Sequence, residues 1–425
     1  MKKYGREIRK TMEVFTGTVV LGFLFMCLVY VLPTERVALH VRETGMNMVQ
    51  LEDEYYRPMI PGKSSTILDN YTDTLMLLTA AYDGKENVVD KAVNNYRICP
   101  EDKTMLEGCS VVGLNQGGKQ TAYARYWHGY LVVLKPLLLF FNLNEIRDIN
   151  VFFILLGISI IMILMYKNRL QKYIVPLLVA VAFMNPMTIS ASIQFSTIFY
   201  TVVVSLIVLL LFNKKKWFAD HIWIYFMLVG MLTSYVDLLT YPIAAFGFPI
   251  IMYFALHENV APREGAVKFA GCSFMWGFGY AGMWGSKWLL SSILMRKNYF
   301  ERAFDKIKER SGHTVQGETV TGKQVLDAML NMIRINPVRY LMVAVALLTI
   351  ILAVLAGIQW SNKAASILIL AAACSPFAWY LATQNHSAIH SWFTYRGLGV
   401  FVFGISGFLL PLFDGEKLLR RIRRK

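Results

Sequence analysis

Long apolar runs joined by short polar segments set the rhythm of this chain. With a window of about 19 residues, apolar spans fall near 13–32, 150–166, 173–190, 196–212, 219–236, 242–256, 267–290, 339–358, 364–383 and 397–413. Each predicts a helix crossing a bilayer, ten in all. The spans near 150–166 and 242–256 fall short of the roughly 20 residues a bilayer requires, so their ends borrow flanking residues. Two stretches break the pattern: 33–149 and 291–338 are long and largely polar. Within the first, WHGYLVVLKPLLLFFNL (127–143) is apolar but carries Lys135 and Pro136 at its centre, which fits a helix lying in the membrane interface. A re-entrant segment is the alternative.

Composition agrees with this pattern. Hydrophobic residues make up 56% of the 425 and charged residues 17%, too oily for a soluble protein of this length. The fold class is therefore an all-α polytopic membrane protein. The net charge of +15 could point to nucleic acid, but the bases gather at segment ends rather than on one face, which argues against that partner. MKKYGREIRK at the start, YKNRLQK (166–172), NKKKW (213–217), Arg263 with Lys268, Lys363 and the tail KLLRRIRRK are all basic and are expected on the cytoplasmic side. NPMTISASIQFS (185–196) and SYVDLLTYP (234–242) carry no Lys or Arg and are expected outside.

Both termini are then cytoplasmic, and the chain divides into five parts. These are a first helix (1–32), an outer loop with interfacial helices (33–149), helices two to seven (150–290), a second outer loop (291–338), and helices eight to ten with a basic tail (339–425). The first apolar run is too long, and lacks the small-residue site, for a removed leader. A bacterial plasma membrane with the site facing outside suits this layout.

Polar residues at the outer ends of the spans are the candidate chemistry. QNHSAIHSWFTYRG (384–397) packs His386, His390 and Arg396 with Trp392, Phe393 and Tyr395. His386 and His390 are one helical turn apart and can share a face. The cluster reads either as an interfacial aromatic belt with a snorkelling arginine or as a phosphate site built on the planar guanidinium fork. Asp69 and Asp73 in STILDNYTDTLMLLTAAY (64–82) are spaced to share a helix face, although Asp69 also suits an N-cap. Asp237 ends the fifth span, where a carboxylate needs a task or a partner. Lys287 lies in the outer part of the seventh. RYWHGY (125–130) offers Arg125, Trp127 and His128 for stacking on a sugar or anchoring at headgroups. Cys99 and Cys109 fall in the first outer loop and are expected to form a disulfide. No metal-ligand spacing and no phosphate-cradling glycine loop occurs. A divalent cation held by Asp69, Asp73 and Asp237 is compatible with the residues but demanded by none of their spacings, and no other cofactor is indicated.

One helix, a large outer loop with acids, a run of close helices and a second large outer loop resemble the C-type (GT-C) membrane glycosyltransferases, with LDNYTD (68–73), YVDLLTYP (235–242), RYWHGY and NHSAIHSWFTYR as the supporting motifs. The resemblance implies transfer of a sugar from a polyprenyl-phosphate donor to a cell-envelope glycan or lipid acceptor on the outer face. By it, Asp69 or Asp73 is the catalytic base. Arg396, His390, His386 and Lys287 hold the donor phosphate, and Asp237, Arg125, Trp127, His128, Trp392 and Tyr395 contact substrate. In that family the acid lies nearer the first helix, as Glu35 does in this chain. A lipid-linked glycan ligase or polymerase would use similar groups. A transporter or flippase would instead need charged or broken helices at mid-membrane.

Overall fold

Helices account for nearly every apolar span. A computed structural model describes residues 2–51, 54–114, 117–315, 317–336, 338–356 and 363–409. The last residues of the predicted tenth span (410–413) and the basic tail lie outside the described residues.

The chain opens with α1 (Lys2–Val31) and α2 (Glu35–Gln50). The first loop then contributes α3 (Asn70–Ala80), α4 (Val88–Asn94), α5 (Met105–Ser110) and α6 (Leu131–Leu137). The apolar bundle follows as α7 (Leu143–Lys167), α8 (Ile174–Met184), α9 (Pro186–Ala191) and α10 (Ile193–Phe212). It continues with α11 (Lys216–Asp220), α12 (Ile222–Val236), α13 (Ile243–Leu256) and α14 (Pro262–Met295). The second loop holds α15 (Phe300–Ser311) and α16 (Gly322–Ile335). Then come α17 (Arg339–Ala356), α18 (Lys363–Ala373), α19 (Ser375–Ala382), α20 (Gln384–Ile389), α21 (Ser391–Thr394) and α22 (Gly399–Leu409). Strands are minimal: β1 (Arg97–Cys99) pairs antiparallel with β2 (Lys119–Thr121), and β3 (Thr314–Val315) with β4 (Glu318–Thr319).

Among the described residues, five helical stretches are long and apolar enough to cross a membrane: Gly5–Val31, Leu143–Lys167, Ile193–Phe212, Ala364–Ala382 and Ser391–Leu409. Apolar side chains such as Leu24, Leu28, Phe152, Leu155, Leu348 and Val354 stand exposed on these and neighbouring helices, as lipid-facing residues do. This is an all-α membrane-embedded protein.

The ends of the bundle differ in kind. At one, Lys10 meets His221, Asn213 donates to Asn168, and Lys172 pairs with Glu258, so the N-terminal helix and the basic short loops lie together. At the other, the two large loops pack on each other and on residues 384–396. Tyr299 donates to Asn94, Asn385 to the Thr314 carbonyl, and Tyr395 to the Ser65 carbonyl.

Three expectations change here. Lys135, at the centre of the expected interfacial helix, faces protein rather than headgroups: it is 1% exposed, with its ammonium over the Tyr30 ring of α1. Cys99 and Cys109 are both free thiols. Cys109 is buried where α2, α3 and α5 pack and donates to the Thr74 carbonyl, whereas Cys99 turns to the Lys103 and Thr104 carbonyls. The third predicted span is broken at Asn185, which adopts φ 63°, accepts the Thr188 N–H with its side chain and starts α9 at Pro186.

Candidate functional site

The junction between α9 and α10 seats two charged side chains and the backbone of a third charged residue. NPMTISASIQ (185–194) is itself uncharged, but its hydroxyls and the free N–H groups at the start of α10 are strong partners for charge. Asp73 uses them directly: its Oδ1 accepts from Ile193 N at 2.9 Å and Gln194 N at 3.4 Å. A first-loop carboxylate thus caps a membrane helix whose own N-cap, Ser192, makes no side-chain cap. The Ser192 hydroxyl instead accepts from Asp69 N at 3.2 Å. From the other side, Arg396 Nη2 donates to the Thr188 hydroxyl at 2.6 Å.

The two aspartates play different parts. Asp69 is the N-cap of α3, its two oxygens accepting from the Thr72 N–H and hydroxyl, and burial pushes its carboxyl up to about 6. Asp73 is fully buried, and its Oδ2 has no hydrogen-bond partner. Burial pushes its carboxyl up to about 7 against the pull of Arg147; the charge of Asp69 adds to the rise, while the α10 N–H groups oppose it. Arg147, on α7, lies 3.6 Å from that free oxygen, donates to Asn70 at 3.2 Å and keeps its Nε unpartnered. A carboxylate with an open lone pair and a pKa near neutrality is equipped as a general base.

Arg396 is 0% exposed. Its guanidinium stacks over Phe195 at 4.1 Å and Tyr395 at 5.0 Å, and among the described residues no carboxylate pairs with it. Its Nε has no partner. The surrounding aromatics do not form a lipid-facing belt. Phe393 and Tyr395 are buried, and half-buried Trp392 meets Tyr56 edge-on at 5.4 Å.

A second polar group lies where α14, α15, α20 and residues 237–242 meet. Asp237 accepts from the Thr240 N–H and hydroxyl, leaving Oδ2 free, and burial raises its carboxyl to about 6. Leu239, at φ 70°, turns its carbonyl onto His386 Nε2 at 2.6 Å. That contact leaves Nδ1 of His386 bare. His390 stacks on Phe393 and sits 3.4 Å from Arg310 of α15. Burial first, then the neighbouring positive charges, hold His386 well below the usual imidazole range and His390 at about 4. Both histidines are therefore neutral and do not supply the positive charge expected of a phosphate site.

The other expected site residues serve the packing. Lys287 donates to the Ala92 carbonyl at the end of α4 and lies over Trp127. Trp127 is buried and donates to the Met283 carbonyl. His128, at φ 58°, spends one ring nitrogen on the Tyr130 hydroxyl and the other on the Tyr123 carbonyl, and burial pulls it to about 3. Arg125 stacks on Tyr123 and Tyr126, and its carbonyl accepts from Trp284 and Trp288. The three aspartates do not converge on a cation: among the described residues no group of three or more His, Cys, Asp or Glu is placed to hold one.

Arg147 and Arg310 are the charged members that sequence pattern does not flag. Arg147 sits in NEIRD, which reads as a capped helix start, and Arg310 in a charge-rich loop helix. No protein-family profile, curated protein sequence or solved structure matches the chain.

Proposed function

We propose that this protein is a membrane glycosyltransferase that moves a sugar from a polyprenyl-phosphate donor to a glycan or lipid acceptor, with Asp73 as the base. The observation that carries this reading is the open Asp73 Oδ2, buried, near-neutral in pKa and beside the cation Arg147. In the reaction the acceptor hydroxyl gives its proton to Asp73. Its oxygen bonds to the anomeric carbon as the carbon–oxygen bond to the lipid phosphate breaks. The phosphate leaves with the electron pair, stabilised by arginine, in a single inverting step. Asp69, with both oxygens spent on Thr72, fixes the start of α3 and so the aim of Asp73.

In this reading the protein crosses the membrane ten times with both termini inside. The end carrying the two large loops faces outward, and the chain lies in a bacterial plasma membrane.

The test uses purified protein in lipid with a panel of polyprenyl-phosphate sugars, reading release of free lipid phosphate. Asp73→Asn is expected to lower release by about 10²-fold or more, with thermal stability retained, and Asp69→Asn by less. Absence of release with every donor, or release unchanged in Asp73→Asn, would remove the reading and bring the transporter alternative forward.

A further inference from the structure

A groove of about 550 Å³ runs down one side of the bundle between α6, α7, α10 and α12. That volume falls within the roughly 300–1,000 Å³ typical of small-molecule sites. Its walls are almost wholly apolar, with Val133, Leu156 and Val204 standing 64%, 40% and 48% exposed along its open side. Two of its helices, α7 and α10, are among those long and apolar enough to cross a membrane, so the groove opens sideways into hydrocarbon.

One end of the groove is polar. Ile193, which lines it, is the residue whose N–H the Asp73 carboxylate caps. Asn150, also in the lining, lies one helical turn from Arg147, and so on the same face of α7. Arg147 does not itself line the groove, but Ile146 and Ile149 on either side of it do; its side chain is 18% accessible, with Nη2 at 3.6 Å from Asp73 and 3.2 Å from Asn70 and with Nε unpartnered. Arg396 reaches α10 from the opposite side, against Phe195, which does not line the groove.

Resting on the transferase reading above, we propose that this groove holds the isoprenoid tail of the polyprenyl-phosphate donor and that Arg147 binds its phosphate. Hydrocarbon walls take the tail without leaving a polar group unpaired, and the guanidinium complements the anion at the one end that carries charge. Arg396 then positions the α9–α10 junction through Thr188 rather than touching the donor.

Native mass spectrometry on the full chain tests this, with a long polyprenyl phosphate competing against phosphatidylglycerol. Val204→Trp and Leu156→Trp fill the groove from its lipid side, where neither side chain is buried. Each, and Arg147→Gln, is expected to lower retained polyprenyl phosphate by about tenfold, with Arg147→Lys retaining more than Arg147→Gln. Retention equal to the parent in both Trp variants would overturn the assignment, as would displacement by phosphatidylglycerol at equal concentration. Because retention needs no turnover, the two ideas fail separately. Loss of retention in a protein that never releases lipid phosphate leaves the groove and removes the transferase; turnover with unchanged retention does the reverse.

Discussion

Asp73 shows how a single residue carries both a structural and a chemical burden. Its carboxyl titrates near 3.8 when solvated but at about 7 in the fold. The folded state therefore holds a proton that the unfolded chain has given up, and stability falls as pH rises through that window. Asp73→Asn keeps an Oδ1 acceptor for the Ile193 N–H and removes the charge. Thermal unfolding in lipid nanodiscs should show the parent losing stability between about pH 4 and about pH 7, and the Asn variant losing distinctly less; equal slopes would mean that Asp73 does not titrate in the fold. The same group sets the pH dependence of any transfer. A base must be ionised, so the rate should climb to a plateau above about 7.

Helix elements meet here at distances that only small residues allow. Gly230 of α12 lies where a Cβ would strike the Trp276 carbonyl and press on Tyr280 N of α14, and Gly279 of α14 has the same relation to the Met227 carbonyl. The obstacle is backbone on both sides, which cannot rotate away, and such close approach is a common means of joining helices in membranes. Gly230→Leu or Gly279→Leu should lower stability by about 3 kcal/mol, the upper end of overpacking costs, read as a fall in unfolding temperature. Gly277 on the same helix has open space and should tolerate alanine. The apolar periodicity was enough to find these elements, because each buries a continuous hydrophobic run. It was not enough to find their breaks: Asn185 stops α8 through a left-handed backbone conformation, which hydropathy does not encode. Spacing along α3 brought out Asp69 and Asp73 together, yet their division of labour depends on Thr72 and on a helix some 120 positions away. Arg147 was invisible for the same reason, its meaning arising only from tertiary contact. His386 and His390 misled in the other direction, since burial converts expected cations into neutral rings.

At the scale of the molecule, charge and loop size divide between the two ends. Basic residues that the chain scatters over 10, 172, 214–216 and 263–268 surround one end, while both long polar segments gather at the other. The positive-inside bias acts on short loops such as these, so the basic end should be cytoplasmic and the loop end external. That orientation also puts the open edge of the α6–α7–α10–α12 groove in the bilayer with its charged head toward the outer face. Single cysteines placed in a background lacking the native five decide the matter. Lys85→Cys in the first loop and Glu318→Cys in the second should react with a membrane-impermeant maleimide on intact cells. Lys215→Cys, between α10 and α12, should react only after the membrane is opened. Labelling of Lys215→Cys from outside would invert the protein, and with it the side of the membrane on which any acceptor must arrive. Labelling of only one of the two loop positions would require an odd number of crossings between them, which is incompatible with the contacts that join Asn94 to Tyr299 and Ser65 to Tyr395.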